Sequence, residues 1–154
     1  MISKKVIIGK CKFGKGFFAK KNIKKGEVVL IFEGKLRNLQ DLESLPDDVS
    51  DHAVQVSENK WLELTDNAKL INHSCEPNCG IKNKVKIIAM KDISKGDEVT
   101  FDYNMTEDSG WKMECKCGSK NCRKLIQNHE HLPREFRDKY KGYISDWLVE
   151  KYKL

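Results

Sequence analysis

Apolar residues fall along this chain in short runs separated by Gly, Asn, Asp and Lys, a rhythm that suits strands of four or five residues better than long helices. Val6-Ile7-Ile8, Gly16-Phe17-Phe18-Ala19, Val28-Val29-Leu30-Ile31-Phe32, Ala53-Val54-Gln55-Val56, Trp61-Leu62-Glu63-Leu64, Lys86-Ile87-Ile88-Ala89 and Glu98-Val99-Thr100-Phe101 are β-branched or aromatic stretches of this kind. They predict an all-β core. Residues 38–51, rich in Leu, Asp and Ser around Pro46, predict an irregular or partly helical insertion. After Pro133 the period changes. Phe136, Tyr140, Tyr143, Ile144, Trp147, Leu148 and Tyr152 recur at helical spacing with a break near Gly142, which predicts a packed pair of short helices.

Two segments echo each other. Ala19-Lys20-Lys21-Asn22-Ile23-Lys24-Lys25-Gly26 matches Ala89-Met90-Lys91-Asp92-Ile93-Ser94-Lys95-Gly96 in pattern, and each is followed by an acidic residue and a β-branched strand. Each reads as a strand, a turn closed by a glycine at positive φ, and a return strand. Two copies are too few for a solenoid and predict paired corners of one β core.

Composition sets the outer bounds. At 154 residues and 39% hydrophobic content the chain is one domain of ordinary size, able to bury a core without covalent staples. Its net charge of +6 is uneven: +9 over residues 1–37, −6 over 38–64, −2 over 65–110 and +5 over 111–154. Solvated lysines on strand edges and turns explain the basic ends, because aromatics are not interleaved with them as a single-strand nucleic-acid platform requires. No apolar run reaches the roughly 18 residues of a membrane span, and Met1-Ile2-Ser3-Lys4-Lys5 leads into a strand instead of a signal-peptide core. The expectation is an intracellular protein, cytoplasmic or nuclear, with no membrane partner.

Six cysteines in such a chain point away from disulfides. Cys115, Cys117 and Cys122 form a C-x-C-x4-C cluster around a Gly118-Ser119 turn, a spacing that lets a short loop wrap a tetrahedral ion. Three thiolates leave a closed zinc site one ligand short. Cys75, Cys79, Cys11, His129 and His131 are the candidates for the fourth. Cys11 reads as a small strand residue, and His129-Glu130-His131, beside Pro133, reads as a loop or helix lead-in.

The most informative segment is Leu70-Ile71-Asn72-His73-Ser74-Cys75-Glu76-Pro77-Asn78-Cys79, followed by Gly96-Asp97-Glu98-Val99-Thr100-Phe101-Asp102-Tyr103. This pair resembles the signature of the SET-domain protein lysine methyltransferases, N-H-x-C-x-P-N and a later E-L/V-x-F-D-Y. Five fixed letters, several of rare type, match by chance on the order of once in 10^7 windows. The C-x-C-x4-C cluster follows in the family's order, and Gly14-Lys15-Gly16-Phe17 resembles its G-x-G-aromatic cofactor segment. The likeness covers about residues 5–126.

The resemblance implies a mainly β fold, the SET-domain β-clip with its pseudoknot, plus short C-terminal helices. It implies a SET domain over 5–108 with a short insertion at 38–64, a zinc-binding post-SET segment over 109–126, and a helical tail over 127–154 outside the likeness. The implied activity is methyl transfer from S-adenosylmethionine to the ε-amine of a protein lysine, on a histone or another basic protein, giving di- or trimethyllysine. Backbone around Gly14, Lys15, Gly16 and Phe17, with Asn72 and His73, would hold the cofactor, and Leu125 and Ile126 would cover its adenine. Tyr103 would be catalytic, and Phe101 beside it in the substrate channel would leave room for repeated transfer. Cys75 would join Cys115, Cys117 and Cys122 around one structural zinc, leaving Cys79 a structural thiol. Where the family often carries arginine, Ala68-Lys69-Leu70-Ile71 offers lysine, which lacks the forked contacts. Two rival readings are a catalytically inactive SET scaffold that binds peptides and a small basic zinc protein that binds nucleic acid.

Overall fold

The computed structural model describes residues 1–64 and 67–154. Strands dominate, and the β-branched runs form them. The chain runs β1 (Val6–Cys11), β2 (Gly14–Ala19), β3 (Val28–Ile31), β4 (Gly34–Arg37), helices α1 (Leu39–Glu43) and α2 (Asp47–Ser50), then β5 (Val54–Ser57) and β6 (Lys60–Leu64). There follow β7 (Asn72–His73), β8 (Cys79–Lys82), β9 (Lys86–Ala89), β10 (Glu98–Phe101), β11 (Met113–Glu114), β12 (Leu125–Ile126), α3 (Arg134–Lys139) and α4 (Asp146–Tyr152). The insertion is thus partly helical, and it also returns two strands that pair as β4-β6-β5. Among the described residues no helix is long and apolar enough to cross a membrane.

The main sheet has the order β1-β2-β10-β8-β9-β3, with β7 joined to β10. β7 lies parallel to β10, Thr100 opposite Asn72 and Phe101 opposite His73, so two segments thirty residues apart share one ribbon. Side chains alternate along β10 as the pleat requires: Val99 and Phe101 are buried in the core, while Glu98 and Thr100 face the other way.

The echoed segments meet each other. Ile23 and Ile93 exchange backbone hydrogen bonds of 2.9 Å in each direction. Asp92 Oδ1 accepts from the Lys25 N–H at 2.9 Å, and Asn22 Oδ1 accepts reciprocally from the Lys95 N–H at 2.9 Å. Gly26 and Gly96 close the two corners at φ +88° and +96°, a region that side chains disfavour.

The C-terminal helices are part of the same core. Leu132, Phe136, Tyr140, Ile144, Trp147 and Leu148 are buried in one cluster with Phe17, Ile81, Ile87 and Phe101. The Ile81 N–H donates to the Tyr143 carbonyl at 2.9 Å, and the Ser145 N–H to the Met105 carbonyl at 2.8 Å.

Candidate active site

Two cavities flank the β7–β10 ribbon, and the strand period sorts their linings. Glu98, Thr100, Asn72 and His73 line a polar cavity of about 340 Å³, together with Phe13 and Ser74. Phe101 lines an apolar cavity of about 110 Å³, with Phe32, Trp61, Ile71, Tyr103 and Trp111.

On the polar side Asn72 is fixed by its amide. Nδ2 donates to Glu98 Oε1 at 2.8 Å and to the Lys15 carbonyl at 3.1 Å, and lies 3.2 Å from Cys11 Sγ. Gly16 makes this arrangement possible, because a Cβ there would stand 2.6 Å from Asn72 Nδ2 and 2.6 Å from Glu98 Oε1. With Nδ2 committed, Asn72 Oδ1 is left without a partner among the described residues and can accept from a ligand. A roomy polar cavity beside a bare backbone strand fits the amino-acid end of S-adenosylmethionine.

On the apolar side the Tyr103 hydroxyl donates to the Ile71 carbonyl at 3.1 Å. Its ring stands 5.2 Å from Phe101, 5.2 Å from His73 and 6.4 Å from Trp111. Burial pushes the phenol well above its ordinary range, so the hydroxyl stays protonated and acts through hydrogen bonds.

His73 touches both sides, and its hydrogen bonds define its tautomer. Nδ1 accepts from the Tyr103 N–H at 3.3 Å, and burial lowers the imidazole to about 4 despite the neighbouring Asp102 carboxylate. The neutral ring therefore carries its proton on Nε2, which donates to Cys75 Sγ at 3.3 Å.

His73 Nε2, Cys75, Cys115 and Cys117 lie within 4.8 Å of one another. Cys122 packs on the same cluster, but its thiol is turned to the Cys115 carbonyl at 3.4 Å. The donor chemistry fits a thiolate-bound zinc. Cys75 Sγ receives the His73 Nε2–H and the Arg123 N–H, the latter at 3.4 Å, and these donors partly offset the burial that raises this thiol, as a site awaiting a metal's charge requires. The group that converges here thus contains His73, and Cys122, the fourth ligand expected from the sequence, packs beside it without joining it. Cys79 is fully buried in the main core, and burial pushes its thiol up to about 12.

Other expected residues sit at varying distances from these cavities. Gly14 opens β2 at a positive φ, Lys15 contributes its carbonyl to Asn72, and Phe17 buries its ring in the core at 1% exposure. Leu125 is 45% exposed on β12 and lines neither cavity, while its neighbour Ile126 is buried in the cysteine cluster.

Sequence reasoning overlooked the anchor beneath the site. Asp102 is fully buried and takes both ends of the Arg123 guanidinium, at 2.6 and 2.7 Å. Arg123 also reaches Asn104 Oδ1 at 2.9 Å, and the Tyr140 hydroxyl donates to Asp102 Oδ2 at 2.9 Å. Its guanidinium lies 4.9 Å over the Phe136 ring. One polar knot thus ties the tyrosine segment, the cysteine cluster and the tail together. Asp102 adjoins Tyr103 and Arg123 adjoins Cys122, but no spacing in the sequence says that they pair.

Residues 14–104 match the SET-domain family profile. The chain is 34% identical over 129 residues to the histone-lysine N-methyltransferase trithorax of Drosophila virilis, covering 73% of this chain and 3% of that protein. It is 31% identical over 124 residues to the H3 lysine-4 specific histone-lysine N-methyltransferase of Schizosaccharomyces pombe, covering 70% and 13%. These relatives are many times longer. The crystal structure of a Plasmodium falciparum protein assigned as a histone methyltransferase aligns with a TM-score of 0.53 at 30% identity, over 66% of this chain and 95% of that one. KRYPTONITE, solved with mCHH DNA, an H3(1-15) peptide and SAH, aligns with a TM-score of 0.62 at 23% identity, over 80% of this chain and 30% of that one, and shows the shared fold.

Proposed function

The chain belongs to the SET-domain family, and from that membership and its two cavities we propose that it transfers methyl groups from S-adenosylmethionine to the ε-amine of a protein lysine. The observation that carries this reading is the placement of a polar and an apolar cavity on the two sides of one ribbon, with Asn72 and His73 lining the polar one and Phe101 and Tyr103 the apolar one. Bound S-adenosylmethionine supplies an activated methyl on a sulfonium. Asn72 Oδ1 and the backbone of Gly14 to Phe17 bind its amino-acid end, while His73 lies toward its adenine; Leu125, outside the cavity, would have to move over the adenine to cover it. The apolar cavity receives the methylene stem of lysine.

Lysine attacks only as the neutral amine, and its reference pKa is about 10.4. Phe32, Trp61, Phe101 and Trp111 exclude water and so disfavour the ammonium. Tyr103, held protonated, orients the amine through its hydroxyl and does not remove the proton itself. Alignment of amine and methyl across the ribbon accounts for much of the acceleration. Cys75, Cys115, Cys117 and Cys122 hold one structural zinc, which pins residues 111–126 against the ribbon. Phe101, with no hydroxyl to hold a water beside the amine, leaves space for a second and third methyl.

The relatives named for histone methylation make a histone tail the first substrate to try, and a nuclear or other intracellular setting follows from it. Incubation with labelled S-adenosylmethionine, an H3(1–15) peptide and a cell lysate, with the label located by mass spectrometry, tests the proposal. Label on lysine supports it. Tight S-adenosylmethionine binding with no labelled lysine in any fraction overturns it in favour of an inactive scaffold.

A further inference from the structure

Three acidic side chains leave the segment between 102 and 108, and two of them have cations of their own. Asp102 is paired with Arg123, and Asp108 with Lys151 Nζ at 2.8 Å and the Tyr152 hydroxyl at 2.8 Å. Glu107 has no cation within ion-pair distance among the described residues. Its Oε1 accepts from the Ser109 N–H at 2.9 Å and from the Ser109 hydroxyl, and its Oε2 has no partner among the described residues. The backbone at Glu107 is anchored on both sides, because its N–H donates to the Tyr103 carbonyl at 3.0 Å and its carbonyl accepts from the His129 N–H at 2.9 Å.

Glu107 lines the apolar cavity together with Phe101, Tyr103 and Trp111. Glu107 is half-buried, and a carboxylate partly withdrawn from water without a counter-ion carries a cost that pushes its pKa up. A cation entering the cavity would remove that cost. The aromatic walls suit a methylene stem, and the open oxygen suits an ammonium head.

We propose that Glu107 is the residue by which the apolar cavity selects a cationic side chain, pairing with the ε-ammonium of the incoming lysine. This rests on the reading of that cavity as the lysine site. Mono- and dimethyllysine remain cations, so the same carboxylate recognises the intermediates of repeated transfer. The pairing acts on capture, before the amine loses its proton, so it raises the affinity for the peptide and does not raise the maximal rate.

Calorimetry on the zinc-loaded chain with S-adenosylhomocysteine tests the pairing as a double-mutant cycle. The probes are the H3(1–15) peptide and the same peptide with norleucine at the lysine that the parent protein methylates. Glu107→Gln keeps the shape and can still accept from Ser109. It is expected to weaken the lysine peptide about tenfold while changing the norleucine peptide by less than about twofold. The unchanged norleucine affinity also reports an intact cavity. Equal factors for the two peptides, or no change in either, would overturn the role of Glu107 while leaving an active parent enzyme explained. A parent protein that neither binds nor methylates the lysine peptide would instead remove the cavity assignment, and this proposal with it.

Discussion

The polar and apolar cavities are cut from the same two strands, yet their polar groups behave in opposite ways. On the polar side Asn72 is held by Lys15 and Glu98 with one acceptor left over, so the surface is preset to hydrogen-bond a charged ligand. On the apolar side the Tyr103 hydroxyl is already satisfied by Ile71, and the rings around it offer contact area. The two-residue period of β10 is enough to produce this division. Damage to one side should therefore spare binding on the other, unless it strikes the support they share.

Arg123→Ala strikes that support. It leaves Asp102 buried without its counter-ion, for which the expected loss of stability is about 3–5 kcal/mol. Chemical denaturation measures it, and ligand binding on both sides should weaken together. A loss below about 1 kcal/mol would show that Asp102 is not held by this pair. Tyr103→Phe acts on the apolar side alone. Turnover is expected to fall about 100-fold through misalignment while S-adenosylhomocysteine affinity, read by calorimetry, stays unchanged.

The division itself was legible in part. The β-branched runs at 28–31, 86–89 and 98–101 announced their strands, and the Asn72-His73 and Phe101-Asp102-Tyr103 motifs announced their chemistry. β7 was not legible, because a two-residue polar strand carries no period and exists only through its pairing with β10. β8 escaped for a similar reason, since Cys79-Gly80-Ile81-Lys82 holds a single β-branched residue. The tail announced helices at Phe136 and Tyr140, but its depth in the core depends on Tyr140 meeting Asp102, a contact between residues 38 apart. Glu107 gave no signal, because an acid in a polar stretch reads as solvated until its missing counter-ion is seen.

Asn72→Ala sharpens the comparison from the polar side. It removes the free acceptor and is expected to weaken S-adenosylhomocysteine about tenfold, leaving peptide affinity within about twofold. Equal losses for cofactor and peptide would blur the two sides into one. The smallest effect is expected from Phe101→Tyr, which adds one hydroxyl to the apolar wall. The first transfer should slow by no more than a few-fold, while exhaustive reaction shifts toward monomethyllysine as ordered water takes the space of the next methyl. Mass spectrometry of the product reads this directly, and a parent protein that stops at monomethyllysine would contradict it.

The most direct test of the two-sided site is a structure of the zinc-loaded chain with S-adenosylhomocysteine and a lysine peptide bound together. The expected structure has the cofactor against Asn72, His73 and Phe13, and the lysine stem between Phe101, Tyr103 and Trp111, with the β7–β10 ribbon between them. Both ligands on one side of that ribbon, or a lysine outside the Phe101–Tyr103–Trp111 cavity, would contradict it.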